Sequence, residues 1–149
     1  MDLHGEGRIP APPERVMAYV ADLATYPQWL GIVLSAHEAG GADAADAADA
    51  ADAVWTVDLG ARVGPFKKAK RVRMVRTVHA DDAVRFERVE LDAKAHSPWV
   101  LAGRVEPDDG HTRLTMHLHY GGSKWLPGLD RLLNEEVRRA TGRLARLLG

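Results

Sequence analysis

Cysteine is absent from the 149 residues, which excludes a disulfide framework, thiolate zinc sites, iron–sulfur clusters and cysteine nucleophiles, and fits a reducing compartment. Long hydrophobic runs are absent too. The longest, Val16 to Ala21, is far below the ~20 residues that a membrane-spanning helix needs. The first residues, Met1-Asp2-Leu3-His4-Gly5-Glu6, lack the apolar core of a secretory signal, so a cytoplasmic location is the expectation. An excess of one charge is missing as well: 20 Lys and Arg face 21 Asp and Glu, which argues against a dedicated nucleic-acid binder. No phosphate-cradling glycine loop, pair of catalytic carboxylates or serine triad is visible. What is present is the composition of one soluble globular domain spanning 1–149, 46% hydrophobic and 28% charged. Such a chain buries roughly 70% of its unfolded surface and folds without a staple.

The periodicity divides the chain. Residues 41–53 repeat Ala-Ala-Asp, with Asp43, Asp46, Asp49 and Asp52 three apart. This tract has nothing large to bury and concentrates like charge, so it reads as a loop expansion. The turn glycine and final Glu of a calcium loop are missing, and no metal is expected there. Without those four aspartates, 21 less 4 leaves 17 acids against 20 bases, a slightly basic body. Before the repeat, Ala11-Pro-Pro-Glu-Arg-Val-Met-Ala-Tyr-Val-Ala-Asp22 opens with prolines suited to a first helical turn and places Val16, Met17, Tyr19 and Val20 at helical spacing. A second short helix is expected around Tyr26-Pro27-Gln28-Trp29-Leu30, with Pro27 near its start.

After the repeat the period becomes two. Trp55, Val57 and Leu59 alternate with Thr56 and Asp58; Val72, Met74 and Val78 with Arg73 and Thr77; Val84 and Phe86 with Arg85 and Glu87. Trp99, Leu101 and Val105 follow the rule, as do Leu114, Met116, Leu118 and Tyr120 against Arg113, Thr115, His117 and His119. Turn signals at Asp81-Asp82, Asp92-Ala-Lys94, Pro107-Asp-Asp-Gly110 and Gly121-Gly122 keep the connections short, so an antiparallel meander with one buried face is expected. Residues up to Ile9 can add an edge strand. The last segment returns to helical spacing, with Leu126, Leu129, Leu133, Val137, Ala140, Leu144 and Leu148 on one stripe. Pro127 to Leu148 would make a helix of about 33 Å.

That order, together with Ile9-Pro-Ala-Pro-Pro-Glu-Arg-Val16 and Ala21-Asp22-Leu-Ala-Thr-Tyr26-Pro27-Gln-Trp29-Leu30, resembles the polyketide cyclase/dehydrase and lipid-transport family of the START-like, or Bet v 1-like (birch-pollen-allergen-like), superfamily. The resemblance implies an α+β helix-grip fold: a curved antiparallel sheet wrapped around a long C-terminal helix, with two short helices after the first strand. It also implies a cavity between helix and sheet for a small hydrophobic ligand such as a polyketide, isoprenoid, quinone or lipid. No cofactor follows from it. Relatives of this kind include both carriers and cyclases, so fold alone does not decide function.

The inner face supplies the candidate ligand-binding residues: Trp29, Trp55, Met74, Phe86, Trp99, Leu101, Met116 and Tyr120. Four tryptophans in a chain with two phenylalanines can either line a cavity or fill it. Arg76 and Arg88 share the inward face by alternation. A guanidinium there must be paired, by Glu90, by Asp58 or by a ligand carboxylate or enolate. A cyclase-type enzyme would need a titratable group such as Glu90, Asp58 or Tyr120 within reach of that guanidinium. Tyr26, Tyr120 and Trp125 suit a pocket mouth, each joining an apolar ring to a polar handle, and Ser123 is a candidate helix cap. His117 and His119 share a face, with His96 a possible neighbour, but alternation sends both to solvent, where neither metal binding nor catalysis is expected. From Arg62 to Arg76 there are seven bases and no acid. This stretch fits either a solvated hairpin or an interaction module that meets an anionic surface, with no accompanying nucleic-acid motif.

Overall fold

The computed structural model describes residues 2–39, 53–63, 65–92, 94–121 and 129–149, with the backbone alone for 61–63, 66–68, 129, 130 and 132. The Ala-Asp repeat up to Asp52, Ser123, Trp125 and the expected helix start at Pro127 lie outside them.

Seven strands form one antiparallel sheet. They are β1 (Asp2–Ile9), β2 (Val33–Glu38), β3 (Ala53–Val63), β4 (Phe66–His79), β5 (Ala83–Arg88), β6 (Trp99–Asp108) and β7 (His111–Tyr120), in the spatial order β1-β7-β6-β5-β4-β3-β2. Strands β2 to β7 are a meander, and β1 returns to pair with β7, so the curled sheet is a half-barrel with β1 and β2 as its edges. Helix α1 (Pro13–Val20) and a 3-10 helix (Leu23–Gln28) cross between those edges, and helix α2 (Leu129–Leu148) lies in the concave face. This is the helix-grip fold.

Local chemistry accounts for each element. Pro12 and Pro13 open α1, whose Val16, Met17 and Val20 are buried. Asp22 ends it and starts the next turn, accepting the Ala24 N–H at 3.0 Å. The second helix therefore begins at Leu23, and Pro27 stands near its end rather than its start. Asp109 and Gly110, both at positive φ (49° and 79°), make the two-residue turn between β6 and β7 that right-twisted strands favour. Strand β2 has no counterpart in the alternation read from the sequence. A register irregularity between Val33 and Ser35 breaks its period, and Leu34 is 54% exposed.

Strand β4 departs from simple alternation in two places. A bulge between Arg76 and Val78 turns Val78 outward, 43% exposed, where the sequence pattern expected it inside. Arg73, expected on the wet face, is buried, and its Nη1 donates to the Val89 carbonyl at 2.8 Å. The residues following β5 cover it.

The stripe of α2 is buried as its spacing predicts: Leu133, Val137, Ala140, Leu144 and Leu148 face the core. The helix packs chiefly on β1, and glycine permits the approach. A Cβ on Gly5 would stand 2.5 Å from the Val137 carbonyl oxygen, and one on Gly7 would stand 2.6 Å from Thr141 Cβ.

Candidate functional site

Three groups of side chains occupy the space between the layers. At the α1 end, Tyr26, Trp29, Phe86 and Trp55 make an aromatic cluster, with centroids 4.2 Å apart for Tyr26–Trp29, 6.0 Å for Tyr26–Phe86 and 5.5 Å for Trp55–Phe86. Tyr26 is not at a pocket mouth. It is fully buried, its hydroxyl donates to the Val20 carbonyl at 2.7 Å, and burial holds its pKa well above the ordinary 10.0. Trp55 and Phe86 likewise fill core volume. At the other end Trp99 and Tyr120 stack at 5.3 Å.

Between these ends lies a cavity of about 30 Å³. Val57 and Leu59 of β3, Met74 of β4, Trp99 and Leu101 of β6 and Leu118 of β7 form one wall; Leu23, Leu30, Ile32 and Val33 form the other. A second void of about 10 Å³ lies among Trp29, Leu30, Leu101, Met116, Leu118, Val137 and Ala140. Thus Met74, Trp99 and Leu101 of the expected ligand-binding set line the larger void, and Trp29, Leu101 and Met116 the smaller. Ligand pockets for drug-sized molecules span ~300–1,000 Å³. Both voids are far smaller than that, and their walls are apolar.

The two inward arginines do different work. Arg88, opposite Met74 in the register, has a side chain only 6% exposed. Its Nε donates to Glu90 Oε2 at 2.6 Å and Nη1 to the Ser97 carbonyl at 3.2 Å, while Nη2 lies 3.3 Å from His96 Nδ1. The far ring nitrogen, His96 Nε2, stands 2.7 Å from Asp92 Oδ1, and this hydrogen bond is the main reason the Asp92 carboxyl lies below its usual range. A hydrogen bond from Arg88 to Nδ1 and another from Nε2 to Asp92 are both made by neutral His96. One guanidinium thereby ties down both arms of the β5–β6 connection. Lys70 stands on the same inner face, and burial, then the Arg88 charge, lowers its pKa. Neither Asp92 nor His96 could be placed here from sequence, because an irregular connection has no period to read.

Arg76 sits at the α1 end. Its Nη1 donates to the Ala21 carbonyl at 2.6 Å, and its guanidinium lies 5.3 Å over the Trp55 ring. It also forms part of the wall of an outer groove of about 720 Å³ between α1 and the end of β4.

Asp58, a possible partner for these arginines on sequence grounds, is elsewhere. It accepts from Arg71 Nε at 2.9 Å and from Ser35 at 3.0 Å, which lowers its pKa, Arg71 contributing most. His117 and His119 occupy the outer face and share Asp2 Oδ1 at 2.8 and 3.1 Å, and His4 stacks on His117 at 4.4 Å. The His117 hydrogen bond leads in lowering the Asp2 pKa. His96 is not near this pair. Among the described residues no group of three or more His, Asp or Glu is arranged to hold a metal ion, and no helix is long and apolar enough to cross a membrane.

A family model described as polyketide cyclase / dehydrase and lipid transport matches residues 3–149. Among curated proteins none matches the sequence. Solved structures do. The protein TTHA0849 from Thermus thermophilus superposes with a TM-score of 0.70 at 19% identity, over 99% of this chain and 97% of that one. A START superfamily protein from Mycobacterium smegmatis gives 0.68 at 13% identity, over 99% and 96%. The di-domain ARO/CYC BexL from the BE-7585A biosynthetic pathway gives 0.62 at 14% identity, over 98% of this chain and 45% of that one. At these identities the likeness to solved structures is one of fold.

Proposed function

Because the chain belongs to the polyketide cyclase / dehydrase and lipid transport family, we propose that it is a single binding domain for a small hydrophobic molecule of the polyketide, isoprenoid, quinone or lipid kind, held between the sheet and α2. The observation that carries this reading is the shared wall of the two interior voids. Leu30, Leu101 and Leu118 line both, so displacing them joins the voids into one apolar space. Leu30 follows the 3-10 helix outside any regular element, and Met74 is a flexible filler, so these two yield most readily. Trp29, Trp99, Leu101 and Met116 would then contact the ligand, with Trp55, Phe86 and Tyr120 behind them and the Arg88–Glu90 pair at the polar end.

Native mass spectrometry of protein purified without detergent, with solvent extraction of anything carried, tests this. An added stoichiometric mass, lost on denaturation and prevented by filling the space with Leu30→Trp, is the expected result. A clean apo mass, with no thermal shift from quinones, fatty acids or polyketide mimics, overturns it.

A second reading, a cyclase-type enzyme, draws on one distance: a carboxylate, Glu90, at 2.6 Å from the inward Arg88. Proton transfer by Glu90 with oxyanion stabilisation by Arg88 requires the pair to part when substrate binds. Glu90→Gln would then abolish turnover of a poly-β-ketone mimic while leaving its binding intact. Equal turnover by the variant rejects this reading.

A further inference from the structure

The outer face of the sheet carries a groove of about 390 Å³ that runs across β4, β5, β6, β7 and β1. Its volume falls within the ~300–1,000 Å³ of small-molecule sites. The strand register defines its shape. Val78, Arg85, Ala102, His117 and His4 stand opposite one another in a single row across the five strands. Ala83, Arg104 and Thr115 form the next row. These side chains project outward, because the residues that alternate with them, among them Val84, Leu101, Val105 and Met116, are buried.

Ala102 leaves a gap in its row. Arg85 on one side and His117 on the other are two strand spacings apart, about 9–10 Å, which admits one flat ring between them. His117 is braced from its other side by His4, stacked at 4.4 Å and 5° from parallel, and by Asp2 Oδ1 at 2.8 Å from its Nε2. Two residues along β6, about 6.6 Å from Ala102, Arg104 extends from the second row, with Thr115 directly opposite. Arg104 is exposed. Among the described residues neither its guanidinium nor the Thr115 hydroxyl has an ion-pair or hydrogen-bond partner. No carboxylate lines the groove among the described residues. Of the acids on this face, Glu87 accepts from Thr77 at 2.6 Å and lies 3.5 Å from Arg85, while Glu6 pairs with Arg113 at 2.9 Å. Glu106 follows Arg104 on the same face of β6 but forms no part of the wall. A slot for a flat ring therefore adjoins two donors on facing strands. Phosphate, with three terminal oxygens, meets donors from two directions better than a planar carboxylate does.

We propose that this groove binds an aryl phosphate monoester, its ring over Ala102 between Arg85 and His117 and its phosphate on Arg104 and Thr115. A phosphate joined directly to the ring spans the step from Ala102 to Arg104. A neutral ring leaves Arg104 unused, and inorganic phosphate leaves the gap over Ala102 unfilled, so recognition needs both parts in one molecule. The same group occurs free and as phosphotyrosine in a peptide. The site lies on the opposite face of the sheet from the interior voids and does not depend on the interior ligand.

Titration of the isotopically labelled full chain by NMR tests this with phenyl phosphate, phenol and inorganic phosphate at millimolar concentration. The expected result is a saturable shift of the Ala102, Arg104 and Thr115 amides by phenyl phosphate, with phenol and inorganic phosphate each at least about tenfold weaker, the scale of one lost charge-assisted bond. Arg104→Met and Ala102→Leu, both at outward positions, should each cut the affinity about tenfold while the remaining spectrum stays folded. Arg8→Met removes an exposed charge outside the groove, on Asp108, and should leave the affinity as in the parent. A short phosphotyrosine peptide that binds at least about tenfold tighter than phenyl phosphate assigns the group to a protein side chain, and equal or weaker binding assigns it to a free small molecule. No saturable shift with phenyl phosphate, equal binding of the three small probes, or equal losses from Arg104→Met and Arg8→Met overturns the proposal.

Discussion

Replacing Arg88 by methionine keeps most of the aliphatic volume while removing the guanidinium that closes the β5–β6 connection. Three interactions go with it: the 2.6 Å bond to Glu90, the 3.2 Å bond to the Ser97 carbonyl and the 3.3 Å contact with His96. The first is charge-assisted and short, worth about 1.5–3 kcal/mol, and each of the others contributes about 1 kcal/mol. Glu90, 18% exposed, would lose its short guanidinium partner and keep the 3.4 Å contact from the Arg73 backbone N–H. The total, ~3.5–5 kcal/mol, lies within the usual cost of breaking a buried pair from one side. For a chain of this length that corresponds to a fall in Tm of ~7–20 °C, at about 2–4 °C per kcal/mol. Circular-dichroism melts of Arg88→Met beside Arg71→Met, whose Asp58 pair is at the surface with Arg71 73% exposed, provide the contrast. Arg71→Met should melt close to the parent. A double variant, Arg88→Met with Glu90→Leu, should recover most of the loss, because neither member of the Arg88–Glu90 pair is then left without the other. Equal melts for the two single variants, or a double variant as unstable as Arg88→Met, would refute the reasoning.

Other perturbations report on other parts of the fold. The Tyr26 phenol has its pKa raised by burial above the 10.0 of the unfolded chain, so its contribution is complete below pH 10 and falls as pH rises towards the folded value. Tyr26→Phe should therefore cost about 1 kcal/mol at pH 8 by losing the Val20 bond, yet show a smaller further loss than the parent between pH 10 and 11 in parallel urea titrations. Gly5→Ala forces a Cβ to within 2.5 Å of the Val137 carbonyl oxygen and should destabilise by ~1–3 kcal/mol or more. Gly142→Ala in α2 meets nothing within 4 Å and should stabilise by ~0.5–1 kcal/mol; a Tm moving the same way for both glycines would contradict the placement of α2 on β1. Leu144→Ala, at a fully buried position, should cost ~2–5 kcal/mol by chemical denaturation, and a near-zero change would remove α2 from the core.

Much of this architecture was legible in the residues. Alternation in β3, β6 and β7 assigns the inward set from Trp55 to Tyr120, the α2 stripe assigns Leu133 to Leu148, and Asp109-Gly110 marks its turn. These are properties of a strand or helix considered alone. The corrections arise where two elements meet. A bulge, set by how β4 pairs with β5, turns Val78 outward; the residues after β5 fold back over Arg73; Asp22 outcompetes Pro27 as the start of the second helix. Alternation likewise placed Arg88 inside but not the His96 and Asp92 that complete its surroundings, since Arg88, at the end of β5, and His96, eight residues on in the irregular connection, meet only after the chain has closed.

Sequence by itself determined the fold class and which face of each element is apolar, because both follow from period and from turn chemistry repeated along the chain. Only the tertiary structure decided how much space is left inside and where the charges gather. That space is a small difference between the volume the sheet encloses and the volume its side chains fill. It depends on how closely α2 approaches through Gly5 and Gly7, a distance that no local pattern encodes.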